Sequence, residues 1–236
     1  MKRHDPEYDK YVSILHEELK PAMGCTEAIA IAYAAAKGRA ALGAMPDRVK
    51  IEVSGNIIKN VKSVVVPHTG GLRGIPAAAC AGIVAGDENA ELEVLSHVTE
   101  EEISRMAKFM EATPVEVIYA ETPHIFDIMI TEYAGPEVSY VRIVDYHTNV
   151  VEIRHNEEVI LEKEVFDEPM SDEGLTDREF MTVESIVDFG DCVDLDDVRD
   201  VLETQIEYNM AIAEEGLRNN YGANIGKTFS ATARMT

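Results

Sequence analysis

Between Val115 and Glu164 the chain alternates apolar and polar residues in short runs: VEVIYAE, IFDIMITEYA, VSYVRIVDYH, VVEIRH and EVILEKEV. Turns such as Gly135-Pro136 and Asn156-Glu157 separate them. A period of two with a charged outer face predicts an antiparallel meander. The chain before it has a longer period. Tyr8 to Leu19 sets Tyr11, Ile14, Leu15 and Leu19 at helical spacing until Pro21 stops it. Cys25 to Leu42 is rich in Ala, Ile and Tyr with no strong breaker before Gly38, which predicts a buried helix. Val49–Ser54 alternates like a strand, and Val61–Val66 is a second strand candidate. The turn Pro67–Gly74 then leads into an Ala-rich helix over Pro76–Ala85, with Pro76 in the first helical turn, where proline is welcome. Thr99, with Glu102 three residues on, reads as a capping box opening a helix to Met110.

Phe166–Asp177 is polar and contains Pro and Gly, which marks a boundary. Helices are expected beyond it over Asp177–Val187 and Leu195–Gly216. The predicted class is α+β, with N-terminal helices, an antiparallel meander sheet and C-terminal helices. The expected domains are 1–166, α+β, and 167–236, a linker and the start of a truncated helical domain.

Composition narrows the function classes. The 236 residues carry 44 acidic and 21 basic side chains, a formal net charge of −23. Nucleic acid and anionic membrane surfaces are unpromising partners, because affinity for polyphosphates rests on clustered Lys and Arg. The longest apolar runs, Ala28–Ala36 and Ile75–Ala85, fall short of the ~20 residues a membrane span needs. The N-terminus lacks an apolar signal core. The three cysteines, Cys25, Cys80 and Cys192, form neither a disulfide framework nor a CxxC pattern. A cytoplasmic protein with reduced thiols is expected.

Four places hold candidate chemistry. In Lys20–Glu27 a Pro/Gly turn delivers Cys25 to the start of an apolar helix, where free N–H groups and the dipole favour a thiolate. Thr26 and Glu27 would cap the same helix end or face a substrate; the plain alternative is a small buried cysteine in a capped helix. The turn with His68, Thr69, Gly70 and Gly71 offers successive N–H groups to a carboxylate or phosphate, or is simply a tight connection. It is neither a P-loop nor a dinucleotide fingerprint. Ser54 and Asn56, with Lys59 and Asn60, follow a strand end; His147 and Asn149 join two predicted strands. No Ser-His-Asp set or paired-histidine metal motif can be assembled from spacing. Cys80 reads as core, and acids flank Cys192.

Five segments, KPAMGCTEAIAIAYAAA, VSGNIIKN, VPHTGGLRGIPAAACAGIVAGDENAELEVL, HTNVVEI and EGLRNNYGANIGKT, resemble in order the L-cysteine desulfidase family, related to the iron–sulfur L-serine dehydratases. Ala28 stands where that family usually has proline. The resemblance implies a lyase that deaminates a small L-amino acid by β-elimination: L-cysteine to pyruvate, sulfide and ammonia, or L-serine to pyruvate and ammonia. It implies a four-iron, four-sulfur (4Fe-4S) cluster held by three cysteines and no pyridoxal phosphate. Cys25 matches the one cluster ligand present here; the other two belong to a C-terminal part that this sequence lacks, family members being roughly twice as long. The implied substrate-binding residues are Thr26, Glu27, Ser54, Asn56, Lys59, His68, Thr69, Gly70, Gly71, His147 and Asn149. No general base is assigned. A small-molecule amino acid is the expected partner, with a homo-oligomer or a second subunit carrying the missing half. The alternative is a non-catalytic amino-acid-binding or regulatory module; a third reading is a thiol enzyme acting through Cys25.

Overall fold

In the computed structural model the described residues are 1–166, 175–220 and 224–233. The chain divides into two compact units, Ala22–Ser171 and Met1–Pro21 with Asp172–Thr236. The expected boundary at 166/167 abuts residues 167–174, and most of the expected linker lies outside the described residues. The first helix groups with the C-terminal unit rather than with the sheet.

The larger unit is built on helix α2 (Thr26–Leu42), whose residues from Ala28 to Ala36 are all buried. Such a helix has no solvent stripe, because neighbours cover it on every side. One neighbour is α4 (Gly74–Ala85), equally rich in alanine. The two approach so closely that a Cβ on Gly82 would lie 2.0 Å from the carbonyl oxygen of Ala32. Small residues on both helices are what permit that spacing. The other neighbour is the sheet.

Six strands make that sheet: β1 (Arg48–Val53), β2 (Val115–Tyr119), β3 (Asp127–Ala134), β4 (Glu137–Val144), β5 (Val150–His155) and β6 (Glu158–Glu162). Their spatial order is β2-β1-β3-β4-β5-β6. Strands β3 to β6 form the expected antiparallel meander. Val49, Ile51 and Val53 point to the core, while Lys50 and Glu52 pair on the outer face at 2.8 Å. Glu52 belongs to a solvated sheet face, whereas Asp127 and Glu132 of the same sheet are fully buried.

Two expectations need correction. VEVIYAE is not part of the meander: β2 pairs only with β1, and in parallel. Helix α5 (Glu100–Ala112), opened by the expected Thr99–Glu102 capping box, precedes β2 and so falls between the two strands, as a parallel pair requires. Val61–Val66 is not a strand. Ser54 instead opens a short helix, α3 (Gly55–Val61), and only Val65 makes a bridge, to Arg73. The backbone bonds Val66 N–H to Leu72 O and Gly74 N–H to Val64 O close this segment on its own turn.

In the other unit α1 (Pro6–Glu18) buries Tyr8 and Tyr11 with Phe189 of α6 (Val183–Cys192). The Tyr8 hydroxyl donates to Asp197 at 2.6 Å. Helix α6 starts later than expected because Thr182 and Ser185 form the capping box. Helices α7 (Arg199–Arg218) and α8 (Ile225–Ala233) follow; a short 3₁₀ turn at Leu195–Asp197 replaces the expected first turn of α7. No helix among the described residues is long and apolar enough to cross a membrane.

Candidate functional site

One end of the sheet gathers the polar groups. Strands β1 and β2 finish there, β3 begins there, and the β4–β5 connection crosses it. Helix α2 starts with Cys25 as its N-cap residue, yet no side chain caps that end. Cys25 Sγ lies 3.3 Å from Glu27 Oε2, and Thr26 Oγ1 lies 3.4 Å from the same oxygen. Asn60 of α3 donates from Nδ2 to Glu27 Oε1 at 3.0 Å.

This geometry reverses the expected thiolate. Burial pushes the Cys25 thiol above its usual range and the Glu27 carboxylate pushes the same way, overcoming the backbone N–H of Ala28. Burial would raise Glu27 as well, but its backbone N–H, Cys25, Asn60 and the nearby His147 together hold it below the usual carboxylate range. The positive helix end thus stabilises a carboxylate rather than a thiolate. His147 is half-buried and its pKa is lowered by burial, against a smaller upward pull from Glu27. The Phe126 ring meets its imidazole edge-on at 4.6 Å between centroids. A neutral thiol, a charged carboxylate and an amide therefore meet at one helix start, with a neutral imidazole within electrostatic range of the carboxylate.

Beside it lies a pocket of ≈ 250 Å³ whose polar lining includes Ser54, Asn56, Thr122 and His124. Asn56 and Asn60 are one helical turn apart on α3, so a single face of that helix connects the pocket to Glu27. Ser54 is buried and donates from Oγ to Ile125 O at 2.6 Å, which shapes the rim. Thr122 donates to Asp127 at 2.8 Å, and Arg142 grips the same carboxylate with two bonds, at 3.0 and 2.8 Å.

The glycine turn behaves differently. Thr69 is buried; its Oγ1 donates to Val66 O at 2.8 Å and accepts from the Leu72 N–H at 3.1 Å. His68 Nδ1 meets Leu95 O at 3.0 Å. A Cβ on Gly70 would lie 2.9 Å from Ile103 of α5. Thr69 and His68 are engaged in holding the connection together, and among the described residues no polar side chain outside the turn hydrogen-bonds to them. Lys59 is exposed on α3, and Asn60 is the residue that reaches Glu27. Asn149 donates to Val144 O at 3.0 Å and closes its own hairpin.

Of the residues singled out by sequence, the structure brings together Cys25, Thr26, Glu27 and His147, and sets Ser54 and Asn56 on the adjoining pocket. Asn60 was singled out with Ser54, Asn56 and Lys59 at the strand end, and it is the member of that group that reaches Glu27. Thr122, His124 and Asp145 were not singled out from sequence.

Among the described residues no three His, Cys, Asp or Glu side chains gather as a metal site. Cys80 is enclosed in α4, where burial drives its thiol up to about 12, and Cys192 belongs to the other unit.

The chain is similar to UPF0597 proteins. It is 49% identical over 232 residues to one from Desulfitobacterium hafniense, covering 98% of this chain and 54% of the relative. A Treponema denticola relative is 42% identical over 222 residues, 94% of this chain and 51% of its own length. One from Lachnoclostridium phytofermentans is 45% identical over 222 residues, 94% of this chain and 52% of its own. The chain thus spans about half the length of the curated relatives it matches. No family model matches it. No solved structure matches it. The assignment to the desulfidase and dehydratase family made from the five motifs is overturned: these relatives carry the UPF0597 name at 42–49% identity over nearly the whole chain, and neither activity appears in their names.

Proposed function

We propose that this end of the sheet binds a small L-amino acid and acts on it as a lyase, by β-elimination. The observation that supports it most is the convergence of Cys25, Glu27, Asn60 and His147 beside a pocket whose polar lining suits a zwitterion of few heavy atoms. Small-molecule sites commonly combine a modest cavity with a few convergent polar groups of perturbed pKa. Glu27, charged at neutral pH, would hold the substrate ammonium, and neutral His147 would accept or donate a proton nearby. The Cys25 thiol, kept protonated, would act as a hydrogen-bond donor rather than as a nucleophile, which disfavours the thiol-enzyme reading.

The second reading is an amino-acid-binding module without turnover, which needs only the polar pocket and the Glu27 carboxylate. Anaerobic incubation with L-serine and L-cysteine separates the two. Pyruvate that disappears in Glu27→Gln supports the lyase. Saturable binding without pyruvate supports the module. Neither binding nor product would overturn both.

A further inference from the structure

The pocket is lined by His124, whose pairing with an aspartate just outside it plays no part in the amino-acid site. His124 sits in the β2–β3 connection with its side chain 4% exposed, and its Nδ1 lies 2.9 Å from Asp145 Oδ1 in the β4–β5 connection. A carboxylate oxygen has no proton to give, so Nδ1 carries the hydrogen of this bond and Nε2 is the ring nitrogen left to exchange a proton. No described residue hydrogen-bonds to Nε2, and Nε2 is absent from the fully enclosed unpartnered atoms. Nε2 is therefore the uncommitted ring nitrogen of a side chain that lines the pocket.

The surroundings hold the imidazole still. The His124 N–H donates to Thr122 Oγ1 at 3.3 Å, and Thr122 is anchored on the Asp127–Arg142 pair. Asp145 adopts a left-handed backbone conformation, φ 65°, fixed by its N–H donating to Phe126 O at 2.9 Å. Backbone held in that region by its surroundings concentrates at working sites. The second carboxylate oxygen of Asp145 is buried without a partner, so the acceptor strength of this group is directed at His124.

We propose that His124 is the proton-transfer group of this site, taking the Cα proton of the bound amino acid, with Asp145 as its positioning residue. The inference rests on the amino-acid reading above. The Cα–H bond breaks and its electron pair becomes the Cα=Cβ bond. The Cβ–S or Cβ–O bond breaks with its pair on the leaving atom, and Nε2 holds the proton. The 2-aminoacrylate released isomerises to an imine, which water hydrolyses to pyruvate and ammonia. Positioned bases of this kind contribute about 10²–10⁴ in rate.

The test is proton NMR of the full chain in D₂O with L-serine, recording saturation transfer for binding and loss of the Cα proton signal for exchange. The wild type is expected to bind and exchange. His124→Gln is expected to bind with an affinity within about threefold and to exchange at least about a hundredfold more slowly. Asp145→Asn is expected to keep its affinity within about threefold and to exchange at least about tenfold more slowly, a split between binding and rate that a purely structural role would not produce. If His124→Gln binds and exchanges at the wild-type rate, the base assignment is wrong while the amino-acid site stands. If the wild type neither binds nor exchanges, the amino-acid reading fails and this one with it. Should His124→Gln lose the fold by circular dichroism, Asp145→Asn decides the matter: binding with exchange at the wild-type rate would overturn the proposal.

Discussion

Two Gly/Pro turns feed Ala-rich buried helices in the larger unit, and they employ their polar groups in opposite ways. The turn before α4 is closed on itself: the Thr69 hydroxyl links Val66 to Leu72, and His68 is tied to Leu95. The turn before α2 leaves its helix end uncapped and points Cys25 and Glu27 toward Asn60 and His147 on other elements. A glycine-rich turn is not a ligand cradle when its polar atoms are already satisfied. A helix start becomes chemically useful when groups from several elements converge on it.

Changes at the two turns should therefore separate function from stability. The largest effect is expected for Glu27→Gln, which removes the charge at the convergence point. Amino-acid binding and turnover should fall by about two orders of magnitude, equivalent to about 2.8 kcal/mol, while the thermal midpoint moves little. Calorimetric titration and thermal melts on the same sample check both halves.

Gly74→Ala should do the reverse. Gly74 holds φ 84°, and a Cβ there would lie 3.1 Å from the Lys62 carbonyl oxygen. A loss of about 2 kcal/mol of stability is expected, measured by urea unfolding, with ligand affinity unchanged. Thr69→Val follows at about 1–2 kcal/mol, because Val66 O and the Leu72 N–H lose a buried partner. If Thr69→Val abolished binding instead, the contrast between the turns would collapse.

The smallest effect is a pH dependence. The folded-state pKa of Glu27 lies below its ordinary 4.5, so its stabilising contribution is fully present above about pH 4.5 and is lost as pH falls through the folded value. Glu27→Gln should flatten that part of the acid-unfolding curve, which fluorescence-monitored titration would show.

Local patterns carried much of the fold. The Thr99–Glu102 box spans three residues, the β3–β6 meander follows from alternation, and α2 from an unbroken apolar run. Val61–Val66 misled because β-branched runs fit strands, whereas here Leu72 and Gly74 take up its backbone groups. The parallel pairing of β2 depends on which edge of β1 is free, which alternation does not encode.

The site was legible where its residues adjoin a helix start, as with Cys25 and Glu27. The His124–Asp145 pair was not, because 21 residues separate them and only the β3–β4 register, with Asp127 opposite Val144, brings their loops side by side. His68 and Gly70 drew attention through a motif whose atoms turn out to be committed to the fold.

Backbone amide NMR during titration with L-serine tests the central claim most directly. Saturable shifts concentrated at Cys25–Ala28, Asn60, His124 and His147, with Gly70–Gly74 unmoved, are predicted. Shifts centred on Gly70–Gly74, or no saturable shift at Glu27 and Asn60, would contradict it.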